Sequence, residues 1–358
     1  MSKISLVSII ILNYHGGKIT ENCLDSVLKS DYHNFEIILV DNGSGNKEIG
    51  RLKKRYERKI KIILSRKNLG YAGGNNLGVK NAKGEYLVFL NNDTVVPSDW
   101  LLKPVQKMRK DPKIAFLQPK IKWLKHKKFF EYAGGAGGYL DFFGYPFVRG
   151  RIFGSIEEDI GQYDDEREVL WASGVALFCQ KKIFERLGGF DSFFFIHGEE
   201  EDLCFRAHRL GYKVIFFPGV QVLHYGGYTG NRNIFKKTFF NHRNHLVLLA
   251  KNLKIKELIF IFPIRMVMDL FALFYYLFGF KNFHTPSAVL LAYASFVKNF
   301  PRIWKQRHQY GIKNFGYPKK EGLIYKNSIV WQYFILKKRR WAEVFDKKPC
   351  SSKLIKIF

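Results

Sequence analysis

The chain has 358 residues, 47% of them hydrophobic and 16% aromatic, and a net charge of +28. This composition excludes a disordered tail and supplies ample material for a buried core, in one large domain or two smaller ones. Four scattered cysteines, Cys23, Cys179, Cys204 and Cys350, lack the paired spacing of a zinc site or a secreted disulfide scaffold and fit a reducing compartment.

The N-terminal run "LVSIIILN" reads as a buried first strand rather than a signal peptide, because no small-residue cleavage site follows it. The first hundred residues then alternate apolar runs with amphipathic stretches: "TENCLDSVLKS", "FEIILVDN", "EIGRLKKRYER", "IKIILSRKN", "AGGNNLGVKNA" and "EYLVFLNND". Strand, helix, strand at this spacing predicts an α/β fold with a parallel, doubly wound sheet. Such sheets bind ligands beyond the carboxyl ends of their strands. Those ends fall at Asn13-Tyr14, Asp41-Asn42, Asn68 and Asn91-Asn92-Asp93, all polar, as a nucleotide or sugar crevice requires.

Residues 129–147, "FFEYAGGAGGYLDFFGYPF", read as a loop or hairpin that either stacks a sugar or simply packs. A strand "EVLWASGVALF", a helix ending at Gly188-Gly189, the acidic segment "IHGEEEDLCFR" and the strand "YKVIFFPGVQVLHYGG" follow. In the acidic segment Leu203, Ala207 and Leu210 fall on one helical face, and acids in its first turn suit the helix dipole. Asp202 and Arg206, four apart, form a pair, so Asp202 reads as structural.

Residues 251–358 carry 21 Lys and Arg against five Asp and Glu, more than half of the whole excess. The segment 257–280 is long enough to span a bilayer, but Pro263, Arg265 and Asp269 interrupt it. An in-plane helix, ordinary packing and a true span all remain open there, with Arg265 and Asp269 spaced to pair. The basic, tryptophan-bearing stretches "PRIWKQR" and "LKKRRW" suit an anionic membrane surface.

Read in order, "VSIIILNY", "VDNGS", "NLGYAGGNNLG", "FLNNDT", "ASGVALF", "LGGFDSFFF", "EEEDLCFR" and "VLHYGG" resemble glycosyltransferase family 2, the inverting GT-A sugar transferases. Within it they are most similar to the rhamnosyl- and galactofuranosyltransferase branch, over about residues 5–250. The resemblance implies a GT-A catalytic domain over residues 1–250, a mostly parallel sheet with helices on both faces. A basic, helical, membrane-associated extension over 251–358 would follow it. It implies that Asp41 accepts a hydrogen bond from the pyrimidine base, and that Asn13, Tyr14, Asn68 and Asn75 line the nucleotide and sugar. The family's Asp-x-Asp element falls on Asn91-Asn92-Asp93, leaving Asp93 as the acidic metal ligand, with His224 as the second. The cofactor implied is Mg²⁺ or Mn²⁺, the histidine favouring Mn²⁺.

The family base falls on Glu200, a longer carboxylate than the usual Asp, with Glu199, Glu201 and Trp171 as supporting or acceptor-side residues. The expected activity is transfer of a sugar from a dTDP- or UDP-sugar to a hydroxyl of a lipid-linked or surface-glycan acceptor. The expected location is the cytoplasmic face of a bacterial plasma membrane. A non-catalytic sugar-nucleotide binder is the alternative, and a nucleic-acid binder a more distant one. Nucleic acid is not an expected partner, because no reader motif is present and acids in the crevice repel phosphate.

Overall fold

The computed structural model describes residues 4–226, 233–274, 277, 284–309, 315–345 and 352–356. Seven elements open the chain in alternation: β1 (Val7–Asn13), α1 (Lys18–Val27), β2 (Phe35–Asp41), α2 (Asn46–Tyr56), β3 (Lys61–Leu64), α3 (Gly70–Val79) and β4 (Tyr86–Asn91). β5 (Thr94–Val95), α4 (Leu102–Lys110) and β6 (Ile114–Trp123) continue the layer. Four short strands then stand apart: β7 (Gly138–Asp141), β8 (Pro146–Val148), β9 (Arg151–Ile152) and β10 (Ser155–Glu157). The chain returns through β11 (Arg167–Glu168), β12 (Ala176–Gln180), α5 (Lys181–Arg186), α6 (Glu199–Arg209) and β13 (Lys213–His224). It closes with α7 (Ile234–Asn252), α8 (Ile255–Phe274), α9 (His284–Arg307), β14 (Ile324–Tyr325), α10 (Ile329–Phe334), α11 (Trp341–Val344) and β15 (Leu354–Lys356).

Nine of these strands form one sheet in the order β11-β13-β6-β12-β4-β1-β2-β3, with β5 on β13. The Val- and Ile-rich strands β1 to β4 are parallel, as continuous apolar runs buried on both faces dictate. Their side chains alternate between two cores. Ile9, Ile11, Leu39 and Val88 meet α1, α2 and α4 on one face. Ile10, Ile38, Val40 and Phe89 meet α3, α5 and α6 on the other. The far half of the sheet is mixed, because β12 runs antiparallel between β4 and β6.

The register puts Asn13 beside Asp41, and Leu12 beside Asn91, so the polar strand ends converge on one edge. The strand expected across "EVLWASGVALF" is split. Gln118 Oε1 accepts from Ser173 N at 2.7 Å, and Trp171 N donates to Gly138 O at 3.2 Å. These bonds pull residues 169–175 out of the ladder, so β11 pairs β13 while β12 pairs β4 and β6.

The glycine- and aromatic-rich run 129–147 contains the hairpin β7–β8, and its rings are mostly packed: Phe130, Tyr139 and Phe147 are buried. The boundary expected at residue 250 falls inside α7 and is not a division of the core. β14 joins β7 and β15 joins β10 in a six-stranded sheet, so the C-terminal segment completes the hairpin region. Asp141 accepts from Ile329 N at 2.9 Å, and Glu157 from Trp341 N at 3.0 Å, which ties the two parts together.

Among the described residues no helix is long and apolar enough to cross a membrane. Of the segment 257–280, residues 275–276 and 278–280 lie outside the described residues, as does Cys350. Cys23, Cys179 and Cys204 are buried free thiols.

Candidate active site

At the carboxyl edge of the parallel strands Asn13 is the hub of a polar net. Its Nδ2 donates to Asp41 Oδ1 at 2.9 Å, Ser44 Oγ at 3.1 Å and Glu48 Oε1 at 3.1 Å. Its Oδ1 accepts from Thr20 Oγ1 at 2.7 Å, and Asn92 Nδ2 donates to the same hydroxyl at 2.8 Å. Asp41 Oδ2 closes a turn by accepting from Gly43 N at 3.3 Å and Ser44 N at 3.1 Å. Asp41 Oδ1, with a single donor, has one more lone pair for an incoming N–H. Tyr14 is exposed at this edge, its ring set edge-on against His15. Asn68 Oδ1 accepts from Asn42 Nδ2 and Gly70 N, which fixes the start of α3.

Asn75 is 1% exposed, and its Nδ2 donates to Tyr71 O, four residues earlier. Trp171 departs from expectation: it is 5% exposed, and its Nε1 donates to Tyr139 O at 3.1 Å. It fills the core beneath the β7–β8 hairpin rather than an acceptor surface.

β13 pairs β5 with His224 beside Thr94, which sets the imidazole against Asp93. His224 Nε2 is 2.9 Å from Asp93 Oδ1 and 3.3 Å from Asn91 Nδ2, while Nδ1 is 3.3 Å from Glu131 Oε1. Burial pushes the imidazole down, but Asp93 and Glu131 together lift it to about 10. Burial likewise opposes ionisation of Asp93, and His224 outweighs it, leaving the carboxyl below its ordinary value.

The donor set fits one divalent cation. His224 Nε2, which would shed its proton to ligate, lies beside a hard carboxylate oxygen, with Glu131 behind Nδ1. Among the described residues no group of three or more His, Cys, Asp and Glu converges on such a position, so Asp93 and His224 would supply two ligands and oxygens from outside the protein the rest. Glu131 is a residue that sequence reasoning missed. Its one signal is an isolated acid in the aromatic, glycine-rich run "FFEYAGG".

The acidic turn lies beside this edge. Asn91 N donates to Val175 O at 3.0 Å, and the neighbouring Gly174 backbone hydrogen-bonds Glu200 and accepts from Tyr71 Oη at 2.7 Å. The loop entering α6 is strained: Phe195, His197 and Gly198 have φ of 65°, 70° and 87°. α7 holds it. Asn244 Nδ2 donates to the carbonyls of Phe194, Ile196 and His197 at 2.9, 2.8 and 2.5 Å, and Arg243 Nη2 to those of Phe193 and Phe194. The loop also docks on α3, where a Cβ on Gly70 would lie 2.2 Å from Phe195 O.

Four acids follow. Asp202 is fully paired with Arg206, Lys251 and Asn252; burial opposes its charge, yet Lys251 and Arg206 hold it down to about 2. Glu199, Glu200 and Glu201 each keep one buried carboxylate oxygen without a hydrogen-bond partner. Burial, reinforced by Glu201, raises Glu200 to about 7; burial, reinforced by Glu200, raises Glu199 well above its usual value. Glu200 is the one of the three that is only partly buried. Glu201 faces His245 Nε2 at 3.7 Å. On the helix face expected from spacing, Leu203 and Ala207 are buried, but Leu210 is 37% exposed because α6 has already ended there.

The model for glycosyl transferase family 2 matches residues 8–149, and that for glycosyl transferase family group 2 matches residues 86–342. The O-antigen biosynthesis protein RfbC of Myxococcus xanthus is 30% identical over 223 residues, 61% of this chain. The chain spans only 17% of that protein's length. N-acetylglucosaminyl-diphospho-decaprenol L-rhamnosyltransferase of Mycobacterium tuberculosis is 23% identical over 68% of this chain and 84% of its own.

Among solved structures, GalNAc-T7 with UDP, GalNAc and Mn²⁺ superposes with a TM-score of 0.57 at 17% identity, over 71% of this chain and 49% of that one. The mannosyltransferase PcManGT of Pyrobaculum calidifontis, with GDP-Man and Mn²⁺, gives 0.50 at 16% identity, over 87% and 86%. These likenesses show the fold, which is GT-A. With a model matching well over half its length, the chain belongs to the family 2 group of glycosyl transferases.

Proposed function

We propose that the chain is an inverting, metal-dependent transferase that moves a sugar from a pyrimidine nucleotide-diphosphate donor to a hydroxyl of a lipid-linked or surface-glycan acceptor. The observation that carries the reading is Glu200: partly buried, raised to about 7, with an oxygen that no protein donor satisfies. A carboxyl of that pKa is half ionised near neutrality, where a general base is most effective. It removes the proton from the acceptor hydroxyl as the hydroxyl attacks the anomeric carbon. Glu199 lies beside it, its carboxyl pushed well above the usual range by burial and by Glu200. One base acting in a single displacement gives inversion without a covalent nucleophile.

Asp41 accepts the N3–H of uracil or thymine, and Tyr14 offers an exposed ring to the base. Asp93 and His224 would hold Mg²⁺ or Mn²⁺, with Glu131 orienting the imidazole. The cation supplies charge stabilisation for the departing nucleoside diphosphate. Among donors we favour a rhamnose-like sugar, on the strength of the rhamnosyltransferase relative and the O-antigen protein.

The test is a screen of dTDP-, UDP- and GDP-sugars for protection against thermal unfolding with Mn²⁺ present, followed by transfer assays. Protection by a pyrimidine nucleotide sugar, and transfer lost in Glu200→Gln, is the expected outcome. Protection by GDP-sugars alone contradicts the role of Asp41, and full transfer by the variant contradicts that of Glu200.

A further inference from the structure

Helix α8 buries a pair of charges and exposes an apolar face. Its inward face carries Leu258, Ile261, Arg265 and Asp269, the two charged residues each 1% exposed, while its outward face carries Ile259 at 71%, Phe260 at 57%, Val267 at 51%, Leu270 at 49% and Phe271 at 70%. A helix on the surface of a protein surrounded only by water has the opposite polarity. The inward charges are satisfied. Arg265 Nε donates to Asp269 Oδ2 at 3.1 Å, Nη1 reaches the carbonyls of Phe143 and Gly144, and the guanidinium lies 3.7 Å from the Tyr145 ring centre. Asp269 also accepts from Tyr145 Oη at 2.9 Å and Tyr293 Oη at 2.7 Å, and faces His242 Nδ1 at 3.4 Å.

α9 lies antiparallel to α8. Tyr293 meets Asp269, and farther back Phe296 meets Phe262 at 5.6 Å between ring centres. Beside the end of α8 that bears Leu270 and Phe271, α9 exposes Leu290 and Leu291, and then Val297 at 68%. Toward its other end the outward positions become Lys298, Arg302 and Lys305, level with the exposed Lys254 and Lys256 at the start of α8. The two helices contain only two acids. Asp269 is buried, and Glu257 is partly buried and accepts from Lys254 N. The face is therefore uncharged at one end, while at the other its charges are all cationic and stand among the exposed Ile255, Ile259 and Phe260.

We propose that this α8–α9 face is a membrane-docking surface whose occupant is an anionic lipid leaflet. The apolar end enters the boundary between headgroups and acyl chains, and the lysines and arginine meet lipid phosphates. Charge complementarity selects the occupant. Contact with a second copy through the same face brings two sets of unbalanced cations together, whereas lipid phosphates neutralise them. α9 packs on α7, and α7 carries the Arg243 and Asn244 that hold the loop before Glu200. The docked face thus lies one helix layer from the acidic turn. This assignment goes beyond the transferase reading and does not depend on it.

The experiment is flotation of the full chain with vesicles of phosphatidylcholine and phosphatidylglycerol, against phosphatidylcholine alone. The wild type is expected to float with the anionic vesicles and to release as salt rises. Phe271→Ser/Leu290→Ser, with every cation retained, is expected to lose binding by about tenfold or more. Lys298→Glu/Lys305→Glu is expected to lose roughly as much. All four side chains are exposed, so thermal unfolding midpoints should match the wild type and report intact folding. The proposal is overturned if the wild type does not float with anionic vesicles, or if the apolar double variant floats as well as the wild type. A lipid-free dimer that Phe271→Ser abolishes would assign the face to a second copy instead.

Discussion

α6 and α8 both place ionisable groups in the interior, and they do so in opposite ways. In α8 the charges cancel: Arg265 and Asp269 pair, and two tyrosines and a histidine complete Asp269. In the first turn of α6 three carboxylates crowd together, each with an oxygen no protein group satisfies, and only Asp202 is neutralised. Buried charge with partners serves the fold, whereas removing one partner leaves an uncompensated ion at high cost. Buried charge without partners is a cost the fold bears at a place where a substrate supplies what is missing.

The comparison can be broken most sharply at Glu200. Glu200→Gln is expected to lower kcat by roughly 10²–10⁴-fold while leaving the thermal midpoint intact or higher, measured by transfer assay and calorimetry. In the wild type, kcat/KM is expected to rise with pH through about 7, because the base works only when ionised. Stability runs the other way. A carboxyl raised above its unfolded value favours the folded state below that value, and this contribution is lost as pH rises through about 7. Glu200→Gln should therefore gain stability over the wild type at alkaline pH and none in acid.

The opposite outcome is expected in α8. Asp269→Asn leaves Arg265 buried without its counter-charge and is expected to destabilise the chain by about 3–5 kcal/mol in urea unfolding. A smaller effect is expected at Glu131→Gln. It weakens the orientation of His224 and should lower Mn²⁺ affinity by roughly 10–100-fold, read by titration calorimetry with UDP present. Smaller again, Asn244→Ala removes three hydrogen bonds from the strained loop and is expected to lower kcat about tenfold with KM little changed. A steady-state kinetic comparison checks it, and a change confined to KM would show that the loop does not position Glu200.

The parallel half of the sheet was legible because β1, β2 and β4 are apolar runs ending in Asn or Asp, and those three ends landed on the same edge, whereas β3 stops at Leu64, short of Asn68. The pairs Asp202–Arg206 and Arg265–Asp269 were legible because helical spacing alone brings them together. Trp171 was misjudged because an aromatic residue near a site looks the same in sequence whether it faces the crevice or the core. Glu131, Tyr71 and Asn244 escaped notice because each acts through a partner far away in the chain, which no local pattern records. The interleaving of residues 251–358 with the β7–β10 region escaped for the same reason: β14 and β15 are too short to announce themselves and exist only by pairing.

The account rests on Glu200 being a base poised by its surroundings, and the side-chain carboxyl can be watched without any substrate. Its carbon-13 resonance, assigned by its disappearance in Glu200→Gln, should titrate with a midpoint near 7 in the folded chain. A midpoint at the ordinary value for a glutamate, about 4.3, would contradict the account.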